Sequence, residues 1–373
     1  MVICHALTGS ADVSDWWQPL IGPGRAFDTR TFFIICLNVL GSPYGTASPL
    51  TPNPDTPGET PYGPEFPRVT IRDTVRLHRL VLDRLGVESI QVVVGGSMGG
   101  MQALEWAFYG PDYVKSVVPI ATSGRHSAWC ISWSEAQRHA IWSDPCWLGG
   151  RYSKDKPPTM GLAAARMQAL LTYRSRTSFE SRFGRQVSPA KAAKEGKSSC
   201  EGPGAVTALA QHAKTPTNDQ HLFSAQSYLR YQGEKFVNRF DANCYVAITY
   251  MMDTHDVARG RGSYPEVLKT LTQPALIIGV ESDGLFTLDE QRELHKWMPQ
   301  SELAVIQSAE GHDGFLLEFA QMDRILKTWL RKTLPDALKD TFEQSIAARH
   351  DDTDLAVSKT STFGEAEADV MQW

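Results

Sequence analysis

Short apolar runs alternate with amphipathic stretches along most of the chain. Val2–His5, Phe32–Leu37, Ile90–Val94, Ser116–Ile120, Ala275–Val280 and Leu303–Ile306 are each short and bounded by polar, glycine or proline residues. Runs of this length with little polar interruption are the pattern of strands buried on both faces. Between them, Ile71–Leu85 places Val75, Leu77, Leu80, Val81 and Leu85 largely along one stripe. Met98–Phe108 and Leu316–Leu330 also read as helices. Strand–helix alternation predicts an α/β fold, doubly wound about a mostly parallel sheet.

Two segments interrupt the alternation. Residues 41–67 hold eight prolines and several glycines, which predicts a long loop in place of a helix or core strand. Residues 123–265 contain helical patterns around Glu135–Trp142, Leu162–Tyr173 and Tyr228–Met252. Residues 186–220 within that stretch are polar and rich in Ala, Gly, Ser and Lys, which predicts a mobile loop. The division expected is a core of residues 1–122 and 266–332, a helical lid insertion at 123–265 and a flexible tail at 333–373. The chain also opens abruptly, with Val2-Ile3-Cys4-His5 reading as a strand already under way, so preceding sequence is expected to be missing.

Composition removes several classes. A net charge of -5 without clustered Lys and Arg speaks against a nucleic-acid partner. No apolar run approaches the roughly 18 residues a membrane helix needs, so no membrane partner is expected. The six cysteines form no C-x-x-C pair, which predicts scattered reduced thiols. With no secretory signal visible, a cytoplasmic location is the expectation.

The chemistry concentrates at Val94-Gly95-Gly96-Ser97-Met98-Gly99-Gly100, which matches G-x-S-x-G between a predicted strand and a predicted helix. A serine at such a turn is held in strained backbone geometry. The flanking glycines remove Cβ atoms that would clash, and the helix N-terminus directs amide dipoles at the site. The bland alternative is a glycine-rich packing turn carrying an idle serine. A serine nucleophile needs a general base, and in this arrangement acid and histidine follow it in chain order. His312, in Glu310-Gly311-His312-Asp313-Gly314-Phe315 after the Leu303–Ile306 strand, takes the position of the base. Asp283, just after Ala275–Val280, is the natural acid, with Glu281 and Asp289 as competitors. An oxyanion hole needs two N–H donors, for which the backbone amides of Met98 and Leu7 are the candidates. The side chain of His5 in the same loop is expected to be structural.

The segment from Gly95 to Ala107 resembles the nucleophile signature of homoserine O-acetyltransferases. So do His5–Ser10, Asn38–Gly45 (NVLGSPYG), Phe66–Asp73 (FPRVTIRD) and Gly311-His312-Asp313. Residues 186–220 and the stretch Phe240-Asp241-Ala242-Asn243-Cys244-Tyr245 are similar to fungal members, among which deacetylcephalosporin C acetyltransferase is a close relative. The likeness runs from residue 1 to about residue 332. It implies an α/β-hydrolase fold and a two-step transfer. Ser97 takes the acetyl group of acetyl-CoA, and homoserine's γ-hydroxyl then receives it, with acetyl-CoA as co-substrate, no bound cofactor and no metal. The family fold also has two strands ahead of the first one visible here. Without them, one sheet edge and part of the core are expected to be exposed, and the chain to be poorly soluble or unstable.

A free amino acid presents a carboxylate beside an ammonium, and its simplest complement is one arginine and one carboxylate. Arg166 matches the family arginine that resembles a carboxylate clamp. Tyr173, seven residues on along the same helical face, matches the tyrosine lining the pocket. Asp313 is the candidate for the ammonium. Resemblance to the family also makes a homodimer plausible. The competing readings are another hydroxyl acceptor such as deacetylcephalosporin C, a succinyl donor, a serine esterase, and a non-catalytic remnant of the fold.

Overall fold

The computed structural model describes residues 1–188 and 222–338, apart from Pro57 and Glu59. Its strands are β1 (Val2–Cys4), β2 (Ile35–Cys36), β3 (Val93–Gly96), β4 (Val117–Ile120), β5 (Val187–Ser188), β6 (Leu222–Phe223), β7 (Ala275–Val280) and β8 (Ser301–Ile306). Six of them form one sheet in the order β2-β1-β3-β4-β7-β8, every neighbouring pair parallel. β5 and β6 make a separate antiparallel pair. The helices are α1 (Val13–Trp17), α2 (Ile71–Arg84), α3 (Met98–Ala107), α4 (Ala128–Trp142), α5 (Thr159–Tyr173), α6 (Arg176–Arg182), α7 (Ser224–Val237), α8 (Ala242–Asp253), α9 (Tyr264–Lys269), α10 (Leu288–Trp297) and α11 (Phe319–Thr333).

Alternate residues of each strand face opposite sides of a sheet, so a doubly covered sheet needs two cores. Ile3, Val94, Val118 and Ile278 pack with Trp17 of α1 and with Met322, Leu326 and Trp329 of α11. Val2, Val93, Val117 and Ile277 pack on the other side, with Leu82 of α2, Leu104 and Trp106 of α3 and Leu294 of α10. All ten residues of α3 are buried, including Gln102 and Glu105, whose side chains are satisfied by His5 O and by Arg72 and Arg261. α2 opens with a capping box: the Thr70 hydroxyl accepts from Asp73 N and the Asp73 carboxylate accepts from Thr70 N, worth about 1 kcal/mol.

The elements differ from their predicted extents in instructive ways. The strand expected at Ile90–Val94 lies at Val93–Gly96, with Ile90 left in an isolated bridge to Val114. Extended backbone thus runs through both glycines up to the nucleophile turn. β2 keeps only Ile35–Cys36 of Phe32–Leu37, because Asp28 holds the preceding chain in a turn: its carboxylate accepts from Gly24 N and Arg30 N, and its carbonyl from Phe32 N. The single helical pattern at Tyr228–Met252 is two helices. Asp241 breaks it by capping α8, its side chain accepting from Cys244 N at 2.9 Å.

A third apolar cluster lies between the sheet and the helices inserted after β4. Leu7, Met98 and Met101 meet Leu162 and Ala165 of α5, Phe236 of α7, and Tyr245 and Ile248 of α8 there. α5 packs against both α4 and α7. The loop expected at 186–220 and the tail expected from 333 lie mostly outside the described residues. No helix among the described residues is long and apolar enough to cross a membrane. Cys4, Cys36, Cys130 and Cys244 are free thiols.

Candidate active site

Ser97 sits between β3 and α3 at φ 57 and ψ −122, a region that L residues avoid. Its strain is held from several sides. Ser97 N donates to Ile120 O of β4 at 2.9 Å, and Ser97 O accepts from the Thr122 hydroxyl at 2.8 Å. Two glycines make the turn possible by absence of bulk. A Cβ on Gly99 would lie 2.1 Å from Cys4 O, and one on Gly96 would lie 2.3 Å from the Phe315 ring. The first obstacle is backbone of a central strand and cannot move. Gly99→Ala is therefore expected to lower stability by roughly 3 kcal/mol or more. A shift of the urea midpoint reads this; an unchanged midpoint would show that β1 does not press on α3 as described.

His312 and Asp283 meet although 29 residues apart. His312 Nδ1 lies 2.7 Å from Asp283 Oδ2, and both side chains are buried. A carboxylate only accepts, so the proton of this bond sits on Nδ1 and Nε2 is the imidazole's basic nitrogen. The other carboxylate oxygen, Oδ1, accepts from Leu285 N at 2.8 Å and Phe286 N at 2.9 Å, which fixes the acid's orientation. Of the competitors, Glu281 is exposed and Asp289 is exposed and paired with Arg292. The His312 ring is packed by Phe286, Tyr173 and Phe315 at centroid distances of 5.3, 6.0 and 5.4 Å. Phe315 also covers Gly96, so one ring borders both the imidazole and the serine turn. No direct hydrogen bond joins Ser97 Oγ to His312 among the described residues.

Burial pulls the His312 pKa down, but the charge of Asp283, its hydrogen bond, and the charges of Asp313 and Glu290 together leave it above the ordinary value. Glu290 is itself pushed up to about 7, by burial first and by the nearby Asp283 charge.

Two backbone amides, those of Leu7 and Met98, are the candidates for the oxyanion hole. Leu7 is in the turn after β1, and Met98 opens α3. Neither N–H donates to a protein acceptor among the described residues. The loop is tied to α3 by Gln102, whose Nε2 donates to His5 O at 3.1 Å. His5 accepts from Val39 N through Nε2, so its Nδ1–H donates to Ala6 O. Both ring nitrogens are used in holding the loop.

Arg166 is buried, with Nη1 3.5 Å from the Thr8 hydroxyl and its guanidinium 5.8 Å from the Tyr173 ring centre. Sequence reasoning missed Arg239, which reaches the same loop: its Nη1 donates to Thr8 O at 2.9 Å and to Tyr44 Oη at 2.8 Å. Its position directly before Phe240-Asp241-Ala242-Asn243 was the available signal. Asp313 stands apart from the other candidates. Its Oδ2 lies 2.8 Å from Arg174 Nε with both side chains buried, so the fold already matches its charge. No group of His, Cys, Asp and Glu among the described residues is arranged to hold a metal.

The sequence profile of the "alpha/beta hydrolase fold" family matches residues 1–319. A homoserine O-acetyltransferase of Emericella nidulans is 49% identical, over all of this chain and 87% of that protein. Another, from Gibberella fujikuroi, is 55% identical over 91% of this chain and 81% of its own length. Among solved structures, esterase E22 superposes with a TM-score of 0.74 at 26% identity, covering 88% of this chain and 89% of that one. With the strand order, the serine turn and the Asp283–His312 pair in place, these matches identify the chain as a member of the homoserine O-acetyltransferase family, built on the α/β-hydrolase fold.

Proposed function

We propose that this chain moves an acetyl group from acetyl-CoA to the γ-hydroxyl of L-homoserine through an acetyl ester on Ser97. The observation that carries the reading is 49% identity over the whole chain to a homoserine O-acetyltransferase. The positive φ of Ser97 and the Asp283–His312 hydrogen bond support its chemistry.

In the first half, Ser97 Oγ attacks the thioester carbonyl while His312 Nε2 takes the hydroxyl proton. The carbonyl oxygen becomes an oxyanion facing the amides of Leu7 and Met98. Two such donors in a dry site lower the barrier by several kcal/mol, on the order of 3 kcal/mol each. The C–S bond then breaks, and His312 returns the proton to the CoA sulfur. In the second half, His312 removes the proton of the acceptor hydroxyl as its oxygen attacks the acetyl carbon, and then returns that proton to Ser97. Arg166 pairs with the acceptor carboxylate, Tyr173 lines its path, and the Asp313 carboxylate is shared between Arg174 and the acceptor ammonium. The helices between β4 and β7 act as the lid that keeps water from the acetyl-serine.

The test is intact mass spectrometry of the protein after acetyl-CoA, and again after homoserine. A gain of one acetyl group that homoserine clears supports the reading; no gain, or a gain that homoserine leaves untouched, defeats it. A second reading, serine esterase, draws on the fold shared with esterase E22. It predicts p-nitrophenyl acetate turnover that homoserine does not alter.

A further inference from the structure

We propose that Arg174 is a positioning residue for His312: it ties both flanks of the His312 turn to the end of α5 and, through Asp313, sets the charge that the imidazole faces. The inference rests on the reading of Ser97 as nucleophile and His312 as base, and is independent of which acceptor is used.

Arg174 directly follows α5, and its side chain is buried. Its Nη1 donates to Glu310 Oε2 at 2.5 Å, and its Nε lies 2.8 Å from Asp313 Oδ2. Those carboxylates stand two residues before and one residue after His312, so one planar guanidinium spans the turn. Backbone contacts repeat the attachment. Gly311, at φ 75, lies so close to the α5–α6 junction that a Cβ there would be 2.6 Å from Ser175 N and 2.8 Å from Tyr173 O. The Ser175 hydroxyl donates to Ala309 O, and Ser178 Oγ donates to Glu310 Oε2 at 2.7 Å. On the opposite side Gly311 N donates to Ser282 Oγ at 2.9 Å, one residue from the acid. The His312 turn is thus gripped between the acid loop and the end of α5. That same helix carries Arg166 and Tyr173, so one element aligns the acceptor residues and the base.

The charges around the imidazole give the idea a readout. Asp283 and Glu290 face His312 from the acid loop and α10, and Asp313 from its own turn. Phe286 packs on the ring and itself stacks with His126, and Tyr173 comes from α5. Behind Asp313 and Glu310 stand Arg174, Arg182 from α6 and Tyr228 from α7. Burial pulls the Arg174 pKa down, but Asp313, Tyr228 and Glu310 more than offset it, so the guanidinium keeps its charge. Removing that charge leaves Asp313, which faces the imidazole, without its buried partner, while Glu310 keeps Arg182. The negative potential of Asp313 holds the proton on His312, and the base is freed only at higher pH.

The experiment is the rate of fluorophosphonate labelling of Ser97 in the full chain, followed by intact mass from about pH 5 to 9. In Arg174→Gln the acid limb is expected to move up by about half a pH unit and the maximal rate to fall about tenfold. Arg174→Lys keeps the charge but cannot bridge two carboxylates. Its limb is expected to stay at the parent position while its maximal rate falls about tenfold. A folded Arg174→Gln chain with the parent limb and parent rate overturns the inference. Should that variant fail to fold, Arg174→Lys decides, and an undiminished rate there overturns it. A parent chain that is not labelled at Ser97 defeats the underlying reading and the inference with it. A parent that is labelled but passes no acetyl group to homoserine defeats only the proposed acceptor.

Discussion

Ser97→Ala is expected to lower the rate of acetyl transfer by about 10⁵-fold or more, with the fold intact. The size follows from what is removed. Without Oγ there is no acyl-enzyme, and the acceptor hydroxyl must attack the thioester directly. The oxyanion amides and the binding residues are still present, and in serine enzymes these alone leave roughly 10³–10⁴-fold over the uncatalysed reaction. The fold survives because Ser97 is held through its backbone, by Ile120 O and Thr122 Oγ1, and not through its hydroxyl. Alanine faces the same positive φ as serine and fits the same space. Steady-state turnover with acetyl-CoA and homoserine measures the loss, and the intact mass should show no acetyl gain. Retention of even a hundredth of the parent rate by a folded variant would mean that Ser97 is not the acyl carrier.

Much of this site was legible in the sequence because its logic is local or ordered along the chain. The glycines around Ser97 are readable as a turn that tolerates no Cβ, and the clashes at Gly96 and Gly99 give the reason. Asp283 and His312 were found from their positions after consecutive strands, and β7 and β8 are indeed sheet neighbours. Three other features depend on packing between segments far apart in the chain. The strand before Ser97 starts three residues and ends two residues later than its apolar run, because pairing with β4 continues through Gly95 and Gly96. The helix break at Asp241 was hidden by apolar residues on both sides, which keep helical spacing across the cap. Asp313 reads from sequence as a carboxylate offered to a substrate. Its buried neighbour Arg174 is 139 positions away in the chain and reaches it only because Gly311 lets the turn press against the end of α5. No periodicity or motif encodes that contact.

The acid offers the sharpest test of the arrangement, since three carboxylates compete for the role in sequence and one touches the base in space. Asp283→Asn is expected to lower the maximal rate by about 10⁴-fold, whereas Glu281→Gln and Asp289→Asn stay within a few-fold of the parent. The asymmetry of the Asp283 carboxylate makes the substitution more damaging than the loss of one charge. Oδ1 accepts from two backbone amides, Leu285 N and Phe286 N, while Oδ2 faces His312 Nδ1. An asparagine must put its carbonyl oxygen where the two amides donate, because an NH2 there would oppose both. Its NH2 group is then turned toward His312 Nδ1 and donates to it. That drives the imidazole proton onto Nε2, the nitrogen that must accept the Ser97 proton, and leaves the base in the wrong tautomer. The loss should ease at high pH, where a growing fraction of Ser97 alkoxide no longer needs the base. Fluorophosphonate labelling and acetyl transfer should fall together in Asp283→Asn. If labelling stayed within tenfold of the parent in that variant while Glu281→Gln or Asp289→Asn lost it, the acid would have been misassigned and the tautomer argument would fall with it.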